Sequence, residues 1–94
     1  MKSIIQEKKE CLVCHTTYNL HLHHIFFGTA NRKISDREGF TCYLCGHHHN
    51  LSNSGVHSNR ELDLELKKVC QKKYEETHTR EEFIKLIGKS YILD

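Results

Sequence analysis

Residues 42–53 read CYLCGHHHNLSN, in which two cysteines are followed by three consecutive histidines. The segment NLHLHHIFF at residues 19–27 holds three more histidines, and CLVCHTT at residues 11–17 holds two further cysteines. Thiolate and imidazole are the side chains that zinc prefers as ligands in structural sites. These three segments therefore predict a small domain whose fold is held together by a metal ion.

The spacing of the cysteines predicts which side chains hold this ion. Cys11 and Cys14 are separated by two residues, which allows both sulfurs to reach one tetrahedral zinc. The other two ligands would be either Cys42 with Cys45 or Cys45 with His48. Cys45 and His48 would share the first turn of a helix, whereas Cys42 and Cys45 point to opposite faces of an extended strand. The sequence favours Cys45 with His48 and leaves Cys42 as the alternative ligand.

Length and composition limit the remaining choices. The chain has 94 residues, 37% of them hydrophobic, which suits a single domain over residues 1–94 with a small core. An odd count of five cysteines, four of them in two C-x-x-C pairs, argues against a disulfide scaffold, as does the lack of an apolar export signal. These features indicate a reducing cytoplasm. No segment reaches the length of a membrane-spanning helix, so we expect no membrane partner. A net charge of +2 neither requires nor excludes nucleic acid.

The first half of the chain reads as two strands and a short helix. Apolar and aromatic residues predict strands over residues 20–27 and 40–45. The intervening residues 28–39, GTANRKISDREG, are bounded by glycines and predict a loop. A short helix is expected from about Cys45 to Asn53.

Two helices are predicted in the last third. Apolar residues recur every three or four positions and indicate a helix over about 59–76, capped by Ser58 or Asn59. This apolar stripe consists of Leu62, Leu66, Val69, Cys70 and Tyr74. Thr79 with Glu82 forms the pattern of a capping box for a helix over about 80–87.

The apolar residues and the final glycine of that last helix predict how it packs and where it ends. Phe83, Ile84 and Ile87 would face one side, and Gly88 stands where a C-terminal cap belongs. Both helices are expected to pack on the metal-stabilised core.

Among the histidines that the predicted zinc site does not use, three are expected to lie close together. His23 and His24 would lie at a strand end, and His49 at a helix start. A single buried histidine is usually structural, but three together indicate a site. Imidazole binds several divalent metals, and its ordinary pKa near 6.5 suits a general base at neutral pH.

These motifs in combination resemble the HNH endonucleases. The shared pattern is C-x-x-C, then L-H-x-H-H-I, a connection, and Y-L-C-x-x-H-H-N, and it is most similar to small phage and prophage proteins with a zinc knuckle. The resemblance covers residues 11 to about 57. It implies an α+β fold with a ββα-metal, treble-clef-like (His-Me finger) core followed by two C-terminal helices.

The resemblance also implies roles for individual residues. His24 stands at the position of the general base, and His23 and His49 at positions that bind the catalytic divalent ion. Asn53, one helical turn later, occupies a position that sometimes joins that ion. The ion would be Mg, Mn, Ni or Zn, in addition to the structural zinc.

One position departs from the family pattern. The middle Asn, which orients the base, has no counterpart here, because Gly39 or Phe40 stands in its place. Another group must therefore orient His24 if the site is active.

The resemblance implies hydrolysis of DNA phosphodiester bonds. His24 would take a proton from the attacking water, and the metal ion would stabilise charge on the phosphate. The residues expected to contact nucleic acid are Arg32, Lys33, Arg37 and His57. DNA is the expected partner, the chain would act as a monomer or a homodimer, and the setting would be the cytoplasm of a bacterial host of a phage or prophage.

Two other classes of function fit parts of the pattern. The first is a catalytically inactive, zinc-stabilised DNA-binding or protein-interaction module of the same fold, favoured by the missing Asn. The second is a redox or metal-storage protein that uses the thiols, which leaves the adjacent histidines unexplained.

Overall fold

The computed structural model describes residues 2–49, 55–56 and 59–92. These residues form a two-stranded sheet and four helices, an α+β architecture as predicted. In chain order the elements are β1 Leu20–His24, α1 Thr29–Glu38, β2 Thr41–Cys45, α2 Gly46–His49, α3 Arg60–Tyr74 and α4 Arg80–Ile87. Within the described ranges, every helix is too short or too polar to cross a lipid bilayer.

The two strands form an antiparallel hairpin that sets the direction of each histidine. His23 lies opposite Cys42, and His24 lies opposite Thr41. Side chains alternate along a strand, so His21 and His23 share one face, while His24 occupies the other. β1 is shorter than the predicted strand because the buried Ser35 hydroxyl, and not a neighbouring strand, forms hydrogen bonds with the backbone just after it. Its Oγ accepts from the Phe26 N–H at 3.2 Å and donates to the Phe26 carbonyl at 2.7 Å.

The connection between the strands is a helix, so the predicted loop over residues 28–39 was wrong. The two glycines that suggested a loop flank the helix at its ends. Gly39 has a left-handed φ of 77° and its N–H bonds the carbonyl of Ser35, which is a usual helix stop. Any side chain on Gly39 would also collide with the Lys2 carbonyl. The helix was missed because its surface is polar and it contributes little more than Ile34 to the core.

The predicted start of α3 and both predicted ends of α4 are confirmed, whereas α3 ends at Tyr74, two residues before the predicted end at 76. Asn59 caps α3 by accepting from the Leu62 N–H at 3.2 Å, whereas Ser58 lies outside the described residues. Thr79 and Glu82 form the predicted capping box of α4, and Gly88 ends that helix in the left-handed conformation.

The apolar stripes of these helices are narrower than predicted. Leu66, Cys70 and Tyr74 are buried on α3, but Val69 is 42% exposed. On α4, Phe83 and Ile87 are buried while Ile84 is 39% exposed. The period of 3.6 residues places Val69 and Ile84 at the edges of their stripes, away from the hairpin.

Aromatic side chains join the helices to the hairpin. The ring centroid of Phe26, just after β1, lies 5.4 Å from that of Phe83 on α4 and 5.5 Å from those of Phe40 and Tyr91. Edge-to-face contacts of this kind add to the free energy gained by burying the rings. The cluster anchors the chain immediately after His24 and so supports the position of that histidine.

The N-terminal segment runs along the outer side of β2. The Gln6 side-chain carbonyl accepts from the Tyr43 N–H at 2.7 Å, and the Leu12 N–H donates to the Tyr43 carbonyl at 2.9 Å. The Ser3 hydroxyl donates to the Thr41 carbonyl. These bonds use backbone groups of β2 that would otherwise form an open sheet edge, and they lead the chain to Cys11.

Candidate metal centre and histidine clusters

A tight turn presents the first two thiols. The Cys11 N–H donates to the Thr16 carbonyl, and the His15 N–H donates to the Cys11 carbonyl, each at 2.8 Å. His15 has a φ of 65°, the left-handed conformation that reverses the chain after Cys14. The turn therefore directs both sulfurs toward the start of α2.

Four side chains meet at this point with the geometry of a metal site. The Sγ atoms of Cys14 and Cys45 lie 3.7 Å apart, and Nδ1 of His48 lies 3.7 Å from Sγ of Cys11 and 3.3 Å from Sγ of Cys45. All four ligand atoms lie within 4.8 Å of one another. Tetrahedral zinc, with bonds of about 2.3 Å to sulfur and about 2.0 Å to nitrogen, needs neighbouring ligands roughly 3.5–3.8 Å apart. The group can hold a metal ion and is consistent with structural zinc.

The environment of the thiols differs within this group. Burial acts to raise the pKa of the Cys11 thiol, but hydrogen bonds from backbone groups of Cys14, Cys45 and Val13 outweigh it and lower that pKa to about 6. The pKa of Cys14 is raised instead, since desolvation and the neighbouring sulfurs outweigh its bond to the Thr16 backbone. Cys11 is therefore the thiol most ready to bind a cation, because metals bind the thiolate.

Cys42 does not belong to the four-residue group. Its side chain is fully buried on β2, directly opposite His23. Burial, with a smaller effect from the charge of Cys11, raises the pKa of the Cys42 thiol to about 12. The side chains that lie together are thus those of the favoured prediction, which pairs Cys45 with His48.

A second cluster on the hairpin consists of His21, His23 and His49. The Nδ1 atoms of His21 and His49 are 2.9 Å apart, and their ring centroids 5.0 Å. The His23 ring centroid lies 5.4 Å from that of His49. The rings of the predicted neighbours His23 and His49 are therefore close. His21, which lies with them, was not among the predicted site residues. The alternation of a strand could have found it, because residues 21 and 23 share one face.

His24 lies on the opposite face of β1, in a different setting. Its Nε2 is 3.5 Å from Oδ1 of Asp36 on α1, and its side chain is 17% exposed. His24 lines an open cavity of about 750 Å³, and Arg32 and Lys33 of α1 line the same cavity. The structure thus brings two of the expected phosphate-binding residues to His24, along with a carboxylate that the sequence did not single out.

The remaining predicted site residues fall elsewhere. Arg37 forms an exposed ion pair with Glu38 at 3.0 Å. Asn53 and His57 lie outside the described residues. The structure does not place His24 in the cluster with His23 and His49, because adjacent residues of a strand project to opposite faces.

Comparisons with protein families, curated proteins and solved structures found no match to this chain. The similarity to HNH endonucleases therefore rests on the motifs within the sequence.

Proposed function

We propose that this protein is a metal-dependent endonuclease of the HNH type, which hydrolyses phosphodiester bonds of DNA in a zinc-stabilised, treble-clef-like fold. Cys11, Cys14, Cys45 and His48, together the Cys3His group, would hold the structural zinc. His24 would act as the general base, and the histidines on the other face of β1 would hold a divalent ion.

The observation that carries this proposal is the surroundings of His24. A partly exposed histidine lies beside a carboxylate, Asp36, in a cavity lined by the cations Arg32 and Lys33. A general base needs access to water and a fixed orientation, and a phosphodiester needs positive charge nearby. The cavity offers all three within one turn of α1 and the end of β1.

Asp36 would take the part that the family assigns to its middle Asn. A hydrogen on Nε2 of His24 would face Oδ1 of Asp36, 3.5 Å away, and would leave the lone pair of Nδ1 to accept a proton from water. Backbone bonds to the two residues that follow hold the histidine in place. The Ile25 N–H donates to the Phe40 carbonyl at 2.9 Å, and Ser35 binds both backbone groups of Phe26.

The metal requirement follows from the charge of the substrate. A bound divalent ion would neutralise a non-bridging phosphate oxygen and the leaving 3′ oxygen as negative charge develops. His23 and His49 are the residues expected to hold it, and their ring centroids lie 5.4 Å apart. β1 ends at His24, so a phosphate at that end of the hairpin can reach both faces.

The test is cleavage of supercoiled plasmid by zinc-loaded protein with Mg²⁺, Mn²⁺ or Ni²⁺. We expect nicking that requires the added ion and falls by a factor of about 100 or more in His24→Ala, the usual effect of losing a general base. Asp36→Asn should reduce the rate less, since it removes only orientation. His78→Ala, an exposed histidine on the turn after α3, is the matched control and should cleave like the wild type.

Two outcomes would contradict the proposal. Folded, zinc-loaded wild type that cuts with none of the three ions is not a nuclease of this type. Cleavage that is equal in wild type and His24→Ala shows that His24 is not the base.

A second candidate function is a DNA-binding module without activity. The specific observation that favours it is the separation of His24 from the His23–His49 pair by the thickness of the strand. Such a protein would bind labelled duplex in a salt-dependent manner through Arg32 and Lys33, yet leave plasmid intact.

A further inference from the structure

We propose that His21 is a metal ligand, and that a divalent transition-metal ion is held between Nδ1 of His21 and Nδ1 of His49. The sequence resemblance assigns no role to His21. The proposal relies on the proposed nuclease function only for what the ion would do, and its binding site can be tested without any cleavage assay.

The distance between the two nitrogens suits a shared ion. Nδ1 of His21 and Nδ1 of His49 are 2.9 Å apart. Two adjacent ligands of an octahedral ion, each with a metal–nitrogen bond of about 2.1 Å, are separated by about 3.0 Å. The ring planes meet at 89°, so the two imidazoles approach edge to face and not as a stack.

Without an ion, the same contact is a hydrogen bond in which one Nδ1 donates and the other accepts. Binding a cation requires that the donor ring move its hydrogen to Nε2, because neutral imidazole exists in both tautomers. It also requires that both rings turn, so that the two Nδ1 lone pairs point at the ion and not at each other. Both residues are partly exposed, so an ion can reach them.

The two elements that carry these histidines are fixed by the neighbouring Cys3His group. Cys45 ends the strand paired with β1, and His48 precedes His49 on α2. Zinc bound by Cys45 and His48 would hold α2 against the hairpin and so maintain the distance from His49 to His21. Rigid support of this kind lowers the entropic cost of closing a metal site.

The donor atoms determine which ion fits. Imidazole nitrogen suits Ni²⁺, Co²⁺, Zn²⁺ and Cu²⁺, whereas Mg²⁺ prefers oxygen ligands. Within the described residues, the Cys3His group is the only set of three metal-binding side chains whose ligand atoms all lie within 4.8 Å of one another. The His21–His49 pair therefore provides two ligands and leaves positions open for water or a phosphate oxygen, with His23 alongside.

The test is calorimetric titration of Ni²⁺ and of Mg²⁺ into full-length protein that already holds one zinc per chain. We expect one Ni²⁺ per chain and much weaker binding of Mg²⁺. His21→Gln should weaken Ni²⁺ binding by about 100-fold or more, since even losing an outer partner of a ligand costs about 10–100-fold. The matched control His78→Gln should bind Ni²⁺ like the wild type.

A double variant separates direct ligation from an indirect effect. If both residues hold the same ion, His21→Gln combined with His49→Gln loses little more affinity than either single variant, because each alone already breaks the site. Zinc content and thermal unfolding of each variant show that the fold is retained. The proposal is overturned if His21→Gln binds Ni²⁺ as tightly as the wild type does. It is also overturned if the wild type itself does not bind Ni²⁺.

The result remains separable from the nuclease assay. A His21-dependent Ni²⁺ site in a protein that never cuts plasmid leaves the metal assignment standing and removes the proposed activity. Metal-dependent cleavage by a His21→Gln protein that also binds Ni²⁺ with wild-type affinity supports the activity and overturns the assignment.

Discussion

Cys42 and Cys45 lie three residues apart on β2, and this spacing gives two identical side chains different neighbours. Cys45 ends the strand, and its sulfur lies 3.7 Å from that of Cys14. Cys42 is fully buried and lies opposite His23. The same alternation separates His24 from His23. At the scale of single residues, a shift of one position along a strand decides which face, and therefore which chemistry, a side chain joins.

We predict that Cys42→Ala retains one zinc per chain and that Cys45→Ala does not. A ligand must be deprotonated, and burial raises the pKa of the Cys42 thiol to about 12, whereas Cys45 lies 3.3 Å from Nδ1 of His48. Zinc would be measured after dialysis against a weak chelator. Cys70→Ala, which removes a thiol buried elsewhere in the core, is the control for small cavities. Loss of zinc from Cys42→Ala alone would show that Cys42 is the ligand instead.

At the scale of elements, local capping signals were reliable and surface composition was not. The pattern Thr79 to Glu82 and the glycine at 88 predicted both ends of α4 correctly, because capping depends on side chains within one turn. The loop prediction for α1 was wrong because glycines stand at the ends of helices as well as at the ends of loops. Its polar surface offered too weak a periodicity to distinguish the two.

The capping box predicts a specific dependence on pH. A hydrogen bond from the Thr79 backbone, and then one from its hydroxyl, hold the pKa of Glu82 below 4.5. A carboxyl whose pKa is lowered by folding contributes stability above its unfolded pKa and loses it as pH falls through the folded value. Wild type should therefore exceed Glu82→Gln in stability near neutral pH, and this difference should shrink below a pH of about 4.

Urea unfolding at several pH values measures this difference. Glu81→Gln, which removes a neighbouring exposed carboxyl from the same turn, is the matched control for the loss of one negative charge. Thr79→Ala, which removes the cap itself, should cost about 1 kcal/mol at neutral pH. A Glu82→Gln difference that stays constant from neutral to acid pH would contradict the role of the carboxylate.

At the scale of the whole molecule, one buried lysine connects three segments. Nζ of Lys67 on α3 lies 2.9 Å from Asp63, and it also lies over the ring of Phe27 at 4.3 Å and that of Tyr91 at 5.5 Å. Phe27 follows the strand that carries His24. The lysine thus joins α3 and the C-terminal segment to the chain beside the proposed site, through a cation held by an anion and two aromatic faces.

We predict that Lys67→Met lowers the free energy of unfolding by about 3 kcal/mol. The substitution leaves the carboxylate of Asp63 buried, and within the described residues its one remaining ion-pair partner is the exposed Arg60. Lys68→Met, on the exposed side of the same helix, should change it by less than about 0.5 kcal/mol. Adding Asp63→Asn to Lys67→Met should recover part of the loss. Urea midpoints measure all four proteins, and equal midpoints for the two lysine variants would contradict the role of the buried pair.

From the amino-acid sequence alone we could predict the types and spacing of the metal-binding side chains, the α+β class, the start of α3 and both ends of α4. Each of these depends on contacts within a few residues or on the chemistry of a short motif. Tertiary structure alone decided which histidines meet. The pairing of β1 with β2 and the packing of α2 and α1 against opposite faces bring His21 to His49 and Asp36 to His24. Those pairs are separated by 28 and 12 positions, and no local pattern records such distances.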